Sequence, residues 1–314
     1  MQESYSTKRS NDFNDEIRLQ KILYLVFKGK WTVVSITAFF SIIGVIYSLS
    51  LPNIYESKAL LVPVETSSGI SGALRNSSLA GLVGVGFPSA GEENNSLKAK
   101  RKISSLSFFE NNILPNIFLP DLMAISSWDL KLNIISYNNS IYDNNTNTWV
   151  REYSYPRNQI PSAQEAFKVF NSKHLSLSED NNTGFITISI KHQSPFVAKQ
   201  WADLVVDQIN IFYRLKDKSE SEKAVSYLNE QIRMTGLSEI KEVIAQLLQE
   251  ETKKLTLIEA NKYYVFDYID PPAVMESKSE PNRALFCILA ALLGGMLGVI
   301  MVLIRHIIFK ELNS

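Results

Sequence analysis

Two stretches of this chain carry no charge at all, Trp31 to Leu51 and Ala284 to Ile304, each 21 residues long. At about 1.5 Å of rise per helical residue each reaches about 31 Å, which matches a hydrocarbon core about 30 Å thick. A helix buried in a soluble core seldom runs that far without one charged side chain, so both stretches are expected to cross a membrane. A cleaved signal peptide competes for the first. Thirty residues precede it, its apolar run is too long, and no small-x-small cleavage site separates Leu51 from Pro52. It is therefore expected to stay as an anchor. The chain divides into an N-terminal segment 1–30, a transmembrane helix 31–51, a domain 52–283, a second transmembrane helix 284–304 and a tail 305–314.

Two spans put both termini on one side and the 232 residues of the domain on the other. Arg18, Lys21, Lys28 and Lys30 precede the first span, and Arg305 and Lys310 follow the second. The loop side offers Lys58, Lys278 and Arg283. Basic flanks mark the cytoplasmic side, so the termini are expected there and the domain outside. The whole-chain balance of 32 basic and 32 acidic residues conceals this. The cytoplasmic parts hold eight basic against five acidic residues, and the domain 24 against 27. A neutral total argues against nucleic acid as a partner. The single Cys287, read as an inert thiol in the membrane, allows neither an internal disulfide nor a Cys-rich zinc site. His174, His192 and His306 are far apart, with no His-x-x-x-His pair. Without disulfides, the domain must draw its stability from a sizeable core or from oligomerisation.

Residues 14–28 place Leu19, Ile22, Leu23, Val26 and Phe27 on one helical face behind Asn14 as a candidate N-cap. Such a helix lies against a membrane surface. No P-loop is present, since the only Gly-Lys pair, Gly29-Lys30, is followed by Trp31. Tyr55 to Val64 reads as a strand. Thr66 to Asn95 holds six of the 13 glycines, but its run SSLAGLVGVGFPSAG lacks the Gly-x-Gly-x-x-Gly spacing, so it is expected to be a surface segment. Leu97 to Phe118 is helical in pattern and broken at Pro115. Its cluster Lys98, Lys100, Arg101 and Lys102 is either a solvated helix face or a contact for an anionic glycan or lipid headgroup.

Ser126 to Asn158 is rich in Asn and Tyr and reads as loops. Ser162 to Lys173 is a short helix with Ala166, Phe167 and Phe170 on one face, and Phe185 to Lys191 alternates like a half-buried strand. Ser194 as N-cap and Pro195 at the first helical position then open the longest element, about 194–261. Unbroken, it would be roughly 100 Å long. Thr235-Gly236 is its one flaw, and a break there would give two antiparallel helices instead. Its glutamates (Glu220, Glu222, Glu230, Glu239, Glu242, Glu250, Glu251) are interleaved with lysine and arginine, which describes a salt-bridging face rather than a catalytic set. Tyr263 to Ile269 is a strand leading back to the membrane.

This order, with the segments FNDEIRLQKILYLVFKGKW, LPNIYESKALLVP, SSLAGLVG, SEKAVSYLNEQI and IDPPAVMESKSEPNR, resembles the Wzz family of polysaccharide co-polymerases, the O-antigen chain-length determinants. The resemblance covers nearly the whole chain. It implies an α+β membrane protein in which two transmembrane helices flank a periplasmic α/β domain with a membrane-proximal mixed sheet and one very long helix. It further implies a non-catalytic protein of the bacterial inner membrane, without cofactor, whose domains assemble side by side as a hollow homo-oligomer. The implied partners are a Wzy-type polymerase, the lipid-linked polysaccharide whose repeat number is being set, and inner membrane lipids. Ruler, scaffold and timer mechanisms all fit. The family has further prolines in the approach to the second span, where this chain has Pro271, Pro272 and Pro281 around Met275, Glu276 and Ser277. A rigid polyproline-like lead is therefore not expected.

In the second span Ala290, Gly294 and Gly298 fall at i, i+4 and i+8, a small-xxx-small ridge that lets helices approach closely. It could pack on Gly44 and Ser48 of the first span, on a neighbouring protomer or on the polymerase, although ordinary glycine content of a membrane helix would look the same. Two other function classes fare worse. A two-span sensor calls for a cytoplasmic output domain, and ten residues follow Ile304. A glycosyltransferase or hydrolase calls for paired carboxylates in a cleft or a metal site, and no Asp-x-Asp occurs. The alternative within the family is a kinase-free co-polymerase for capsule, exopolysaccharide or enterobacterial common antigen.

Overall fold

The computed structural model describes residues 24–64 and 95–311, which separate into two compact units. One contains both long apolar helices, and the other runs from Ile54 to Lys278. In chain order the elements are α1 (Lys30–Ser50), β1 (Tyr55–Pro63), α2 (Asn95–Ile103), α3 (Leu119–Met123), β2 (Ile125–Asp129) and β3 (Ile134–Tyr137). There follow β4 (Tyr142–Asp143), β5 (Thr148–Trp149), α4 (Ala163–Val169), β6 (Leu175–Glu179) and β7 (Ile186–His192). The chain closes with α5 (Pro195–Met234), α6 (Ser238–Ala260), β8 (Phe266–Asp270) and α7 (Arg283–Glu311). Most of the amphipathic stripe before Tyr24 and the Gly/Ser stretch lie outside the described residues.

The larger unit is built on a four-stranded sheet of order β6-β7-β1-β8. Every pairing in it is antiparallel, with Tyr55 opposite His192, Leu61 opposite Ile186 and Val62 opposite Asp267. The expected mixed sheet is thus corrected to an antiparallel one. The alternation of β1 explains its face: Tyr55, Ser57, Ala59 and Leu61 are buried and Lys58 is exposed. On the strands' apolar face lies the first half of α5. Its Ala198, Trp201, Ala202, Val205, Val206 and Ile209 join Ala59, Leu61, Ile186, Ile188 and Ile190 in one cluster. Ala198 and Ala202 keep the helix close to the strands. Each fully buried Val or Ile contributes about 1.5–3 kcal/mol by leaving water. Phe108, Phe109, Ile113, Ala166 and Phe170 extend the same core through the helical segments before β6.

Two local signals behave differently from each other. Ser162 caps α4 in both directions: its Oγ accepts from Glu165 N at 3.3 Å, and its own N donates to Glu165 Oε1 at 3.4 Å, a capping box. Ser194 occupies the N-cap position of α5, but its side chain makes no capping bond. Its backbone N instead donates to His192 Nδ1 at 2.9 Å, so the cap expected from Ser194-Pro195 is a turn closed by a histidine.

The run expected as one helix over about 194–261 is two helices. Thr235 (φ −85°, ψ 126°) and Leu237 (φ −88°, ψ 127°) are extended, and the chain turns back between them. Lys218 of α5 forms an ion pair with Glu259 of α6, 41 residues later. In a continuous helix those two would stand about 60 Å apart, so their contact fixes the antiparallel return. Helix α5 alone still has 40 residues and remains the longest element. The segment read as loops, Ser126 to Asn158, carries two small hairpins, β2–β3 and β4–β5. Asn133 and Asn147 adopt φ of 52° and 53° at their turns, a left-handed conformation that asparagine tolerates better than most side chains. The asparagines are turn residues between strands.

Candidate functional site

Both long apolar helices fit a membrane anchor by length and composition: Lys30–Ser50 and Arg283–Arg305, with 6% and 17% of their most apolar windows buried. The core helix of a soluble protein would be mostly covered. Within this unit α7 packs on α1, and the small-residue ridge faces the first helix. A Cβ on Gly294 would meet Phe40 Cβ at 2.8 Å and Thr37 Cα at 3.0 Å, and one on Gly298 would meet Val33 Cα at 3.0 Å. A Cβ on Gly44 would collide with that of Ala290. Thr37 and Ser41 return their hydroxyls to the helix, donating to Val33 O and Thr37 O at 2.9 and 2.8 Å. Ser48 is buried on the same helix and its Oγ has no hydrogen-bond partner among the described residues. Within this chain the ridge lies against the first apolar helix.

The basic cluster is divided by tertiary contacts. Lys100 Nζ donates to Glu179 Oε2 of β6 at 3.0 Å. Lys102 Nζ donates to Ser107 Oγ at 3.0 Å and lies 4.8 Å from the centre of the Phe212 ring. Lys98 and Arg101 are exposed. Four cations converging on one anionic ligand are not what the fold presents. The proline lead is likewise uneven: Pro271 is exposed, Pro272 is buried, and Ser57 Oγ on β1 donates to Ala273 O at 2.8 Å. Pro281 stands two residues before α7.

Three polar arrangements were not visible in the sequence. Asn210, 5% exposed in the middle of α5, is the strongest. Its Oδ1 accepts from the backbone N of Tyr264 (3.1 Å), Val265 (2.7 Å) and Phe266 (3.0 Å). Its Nδ2 donates to Val206 O (3.1 Å) and Phe266 O (3.0 Å). One amide therefore holds the start of β8 against the helix, and Tyr264 adds a bond from its OH to Asp217 Oδ2 at 2.6 Å. The second is Arg151, whose guanidinium grips both oxygens of Glu165 at 2.7 and 3.1 Å and also bonds Asn158 O and Gln159 O. That fork holds Glu165 well below the usual carboxylate range.

The third is a pair of imidazoles on Trp201, His192 buried and His174 half-buried. The rings of His174 and His192 lie 5.5 and 5.0 Å from the indole and 5.7 Å from each other. His174 Nδ1 donates to Lys191 O at 2.7 Å, while His192 accepts at Nδ1 from Ser194 and donates from Nε2 to Asp121 O at 3.1 Å. His192, which accepts at one ring nitrogen and donates from the other, is therefore neutral. Burial holds each at about 4, and for His174 the nearby His192 pushes the same way. Their unfolded value is near 6.5. Below that pH the unfolded chain takes up protons that the folded one refuses, so their contribution is complete above about 6.5 and is lost as pH falls toward 4. Asp121 and Asp207, whose carboxyls burial pushes up, act in the opposite sense. The expected net loss between pH 7 and 4.5 is on the order of a few kcal/mol. Urea midpoints of the detergent-solubilised chain check it; a midpoint that stays flat over that interval contradicts it.

None of these groups forms a nucleophile–base pair in an open cleft. Among the described residues no cluster of three or more His, Cys, Asp or Glu is placed to hold a metal ion. What the geometry defines is a protein with two membrane-length helices and an antiparallel α/β domain held by internal polar clamps. Residues 15–110 match the Wzz family, described as chain length determinant protein, and over that stretch the resemblance drawn from the sequence holds. Among solved structures, a full-length bacterial polysaccharide co-polymerase is similar at 14% identity, covering 92% of this chain and 97% of that one, with a TM-score of 0.39. A fragment of WzzB, a polysaccharide co-polymerase from Salmonella Typhimurium, is similar at 13% identity, covering 73% of this chain and 100% of that one, with a TM-score of 0.32. No curated protein matches the chain.

Proposed function

We propose that this chain is a non-catalytic regulator of surface polysaccharide length, acting on lipopolysaccharide O-antigen as a homo-oligomeric inner-membrane scaffold beside a Wzy-type polymerase. The match of residues 15–110 to the chain length determinant family carries the proposal. The two apolar helices that bracket one polar domain support its membrane setting, and the basic flanks of those helices support cytoplasmic termini with the domain in the periplasm. Arg151, Asp217, His174 and His192 are engaged in contacts within the domain, which suits a scaffold. Deleting the gene is expected to shift the length distribution of the lipopolysaccharide ladder while leaving polymerisation intact. An unchanged ladder overturns the O-antigen assignment, and a change confined to capsule or another surface glycan moves the same role to that polymer.

A further inference from the structure

The β2–β3 hairpin presents an apolar tip that the core does not use. Leu130, Leu132 and Ile134 are 69%, 70% and 54% exposed, with Lys131 between the two leucines. The turn is internally satisfied: Asp129 Oδ1 accepts from the backbone N of Lys131 at 2.7 Å and of Leu132 at 2.9 Å, and Asn133 is left-handed. Trp128 Nε1 donates to Asn133 Oδ1 at 2.9 Å, which braces the tip from below. The exposed side chains of the tip are aliphatic, with one cation among them and one indole beneath. Indoles and lysines gather where hydrocarbon meets headgroups.

The hairpin stands at the end of the sheet where both chain connections leave the domain. The Trp128 ring meets Tyr55 edge-on, 5.4 Å between centres. Tyr55 is the first residue of β1 and follows Leu51, the end of the first apolar segment, by four residues, at most about 14 Å of extended chain. The other connection leaves from the same end of the sheet: β8 runs antiparallel to β1, and beyond it Ala273 O accepts from Ser57 Oγ. Both leads to the apolar helices thus start at the Tyr55 end, which is where the hairpin is anchored. The β6–β7 turn, next to the Leu61–Ile186 pair, lies at the opposite end.

We infer that the β2–β3 tip is an interfacial membrane anchor, with Leu130, Leu132 and Ile134 entering the boundary between headgroups and acyl chains and Lys131 meeting lipid phosphates. The occupant of this apolar patch is the bilayer from which the two helices emerge, a third attachment point for the domain beside its two covalent leads. The inference rests on the reading of those helices as membrane spans.

The test uses the full chain with Cys287→Ala, in phosphatidylethanolamine–phosphatidylglycerol vesicles, carrying one nitroxide at Leu132→Cys, Asn181→Cys or Ile42→Cys. Collision with oxygen, which concentrates in lipid, is compared with collision with a water-soluble nickel chelate. The expected oxygen-to-nickel ratio at Leu132 is several-fold above that at Asn181, in the β6–β7 turn, and approaches that at Ile42 in the first helix. A ratio at Leu132 equal to that at Asn181, with Ile42 still in lipid, overturns the anchor alone. Spectral broadening at Leu132 that disappears when labelled protein is diluted with unlabelled protein assigns the tip to a second copy, and also overturns it. An aqueous ratio at Ile42 overturns the membrane reading beneath it.

Discussion

Replacing Asn210 with alanine is expected to destabilise the larger unit by about 4 kcal/mol, the largest single-residue effect in the domain. Three backbone N–H groups, of Tyr264, Val265 and Phe266, lose their common acceptor, and Phe266 O loses a donor. The site is buried, so each orphaned group costs about 1–3 kcal/mol, offset in part where water enters the space left behind. Asn210→Leu keeps the volume and tests the bonds alone. It should cost at least as much as alanine, because the leucine also excludes water. Asn210→Asp keeps the acceptor but loses the Nδ2 donor and buries a charge, so its cost should fall as pH drops and the carboxyl protonates. Urea unfolding of the solubilised chain, followed by far-ultraviolet dichroism, measures all three. A leucine variant within about 0.5 kcal/mol of the parent would show that the β8 clamp carries no weight.

The second large effect is expected in the apolar helices. Leucine at Gly294 would bring a Cβ within 2.8 Å of Phe40 Cβ and 3.0 Å of Thr37 Cα. The second of these is backbone, so rotamer changes on α1 cannot relieve it and the helices must separate. Overpacking of this kind costs about 1–3 kcal/mol where side chains can yield, and more where they cannot. Thr37→Cys with Gly295→Cys gives a direct reading, because a Cβ at Gly295 lies 3.8 Å from Thr37 Oγ1 and meets nothing else. With Cys287 replaced by alanine, mild oxidation should close that pair within one chain and block attachment of a polyethylene glycol maleimide. Adding Gly294→Leu should restore labelling of both cysteines. Continued protection would mean that the ridge tolerates bulk and that α1 and α7 are held by other contacts.

The elements legible in the sequence are those whose local pattern agrees with their environment. Tyr55 to Val64 reads as a strand, and β1 spans Tyr55–Pro63. Phe185 to Lys191 alternates and gives β7, and Ala166, Phe167 and Phe170 on one face give α4 and the turn after it. The break after Met234 was only half legible. Gly236 marked the place, yet Ile240 and Ile244 continue the helical spacing of Leu228 and Ile232, and that spacing is the same whether the chain runs on or folds back. The reversal is carried by the extended Thr235 and Leu237, and a Cβ at Gly236 would touch nothing within 4 Å. The Asn-rich stretch misled for a related reason: composition gave the turns at Asn133 and Asn147 but not the short strands between them.

Functional candidates were harder still, because their partners are distant in sequence. Lys100 looked like one of four equivalent cations until Glu179, 79 residues on, claimed it. Asn210 stands in the apolar row of α5 between Ile209 and Tyr213, a polar residue at a core position, which was the one available hint. Nothing local says that it would meet a strand 56 residues later. The ridge of Ala290, Gly294 and Gly298 was visible at once, since small residues at fourfold spacing need no partner to be noticed. Which helix fills it was not.

The reversal at Thr235 to Leu237 separates two properties of the domain. The core holds α5 from Pro195 to Tyr213, and beyond it the helix leans mainly on α6. Outward and homeward limbs belong to a single paired arm, so its tip can be moved by adding or removing matched helical turns on both sides while the strands at its root keep their register. A continuous helix would have tied the two together, for any added turn would have carried β8 away from β1. Reach can therefore drift over evolutionary time without the base being rebuilt, and natural variation in chain length should gather near the tip of the arm rather than at its root.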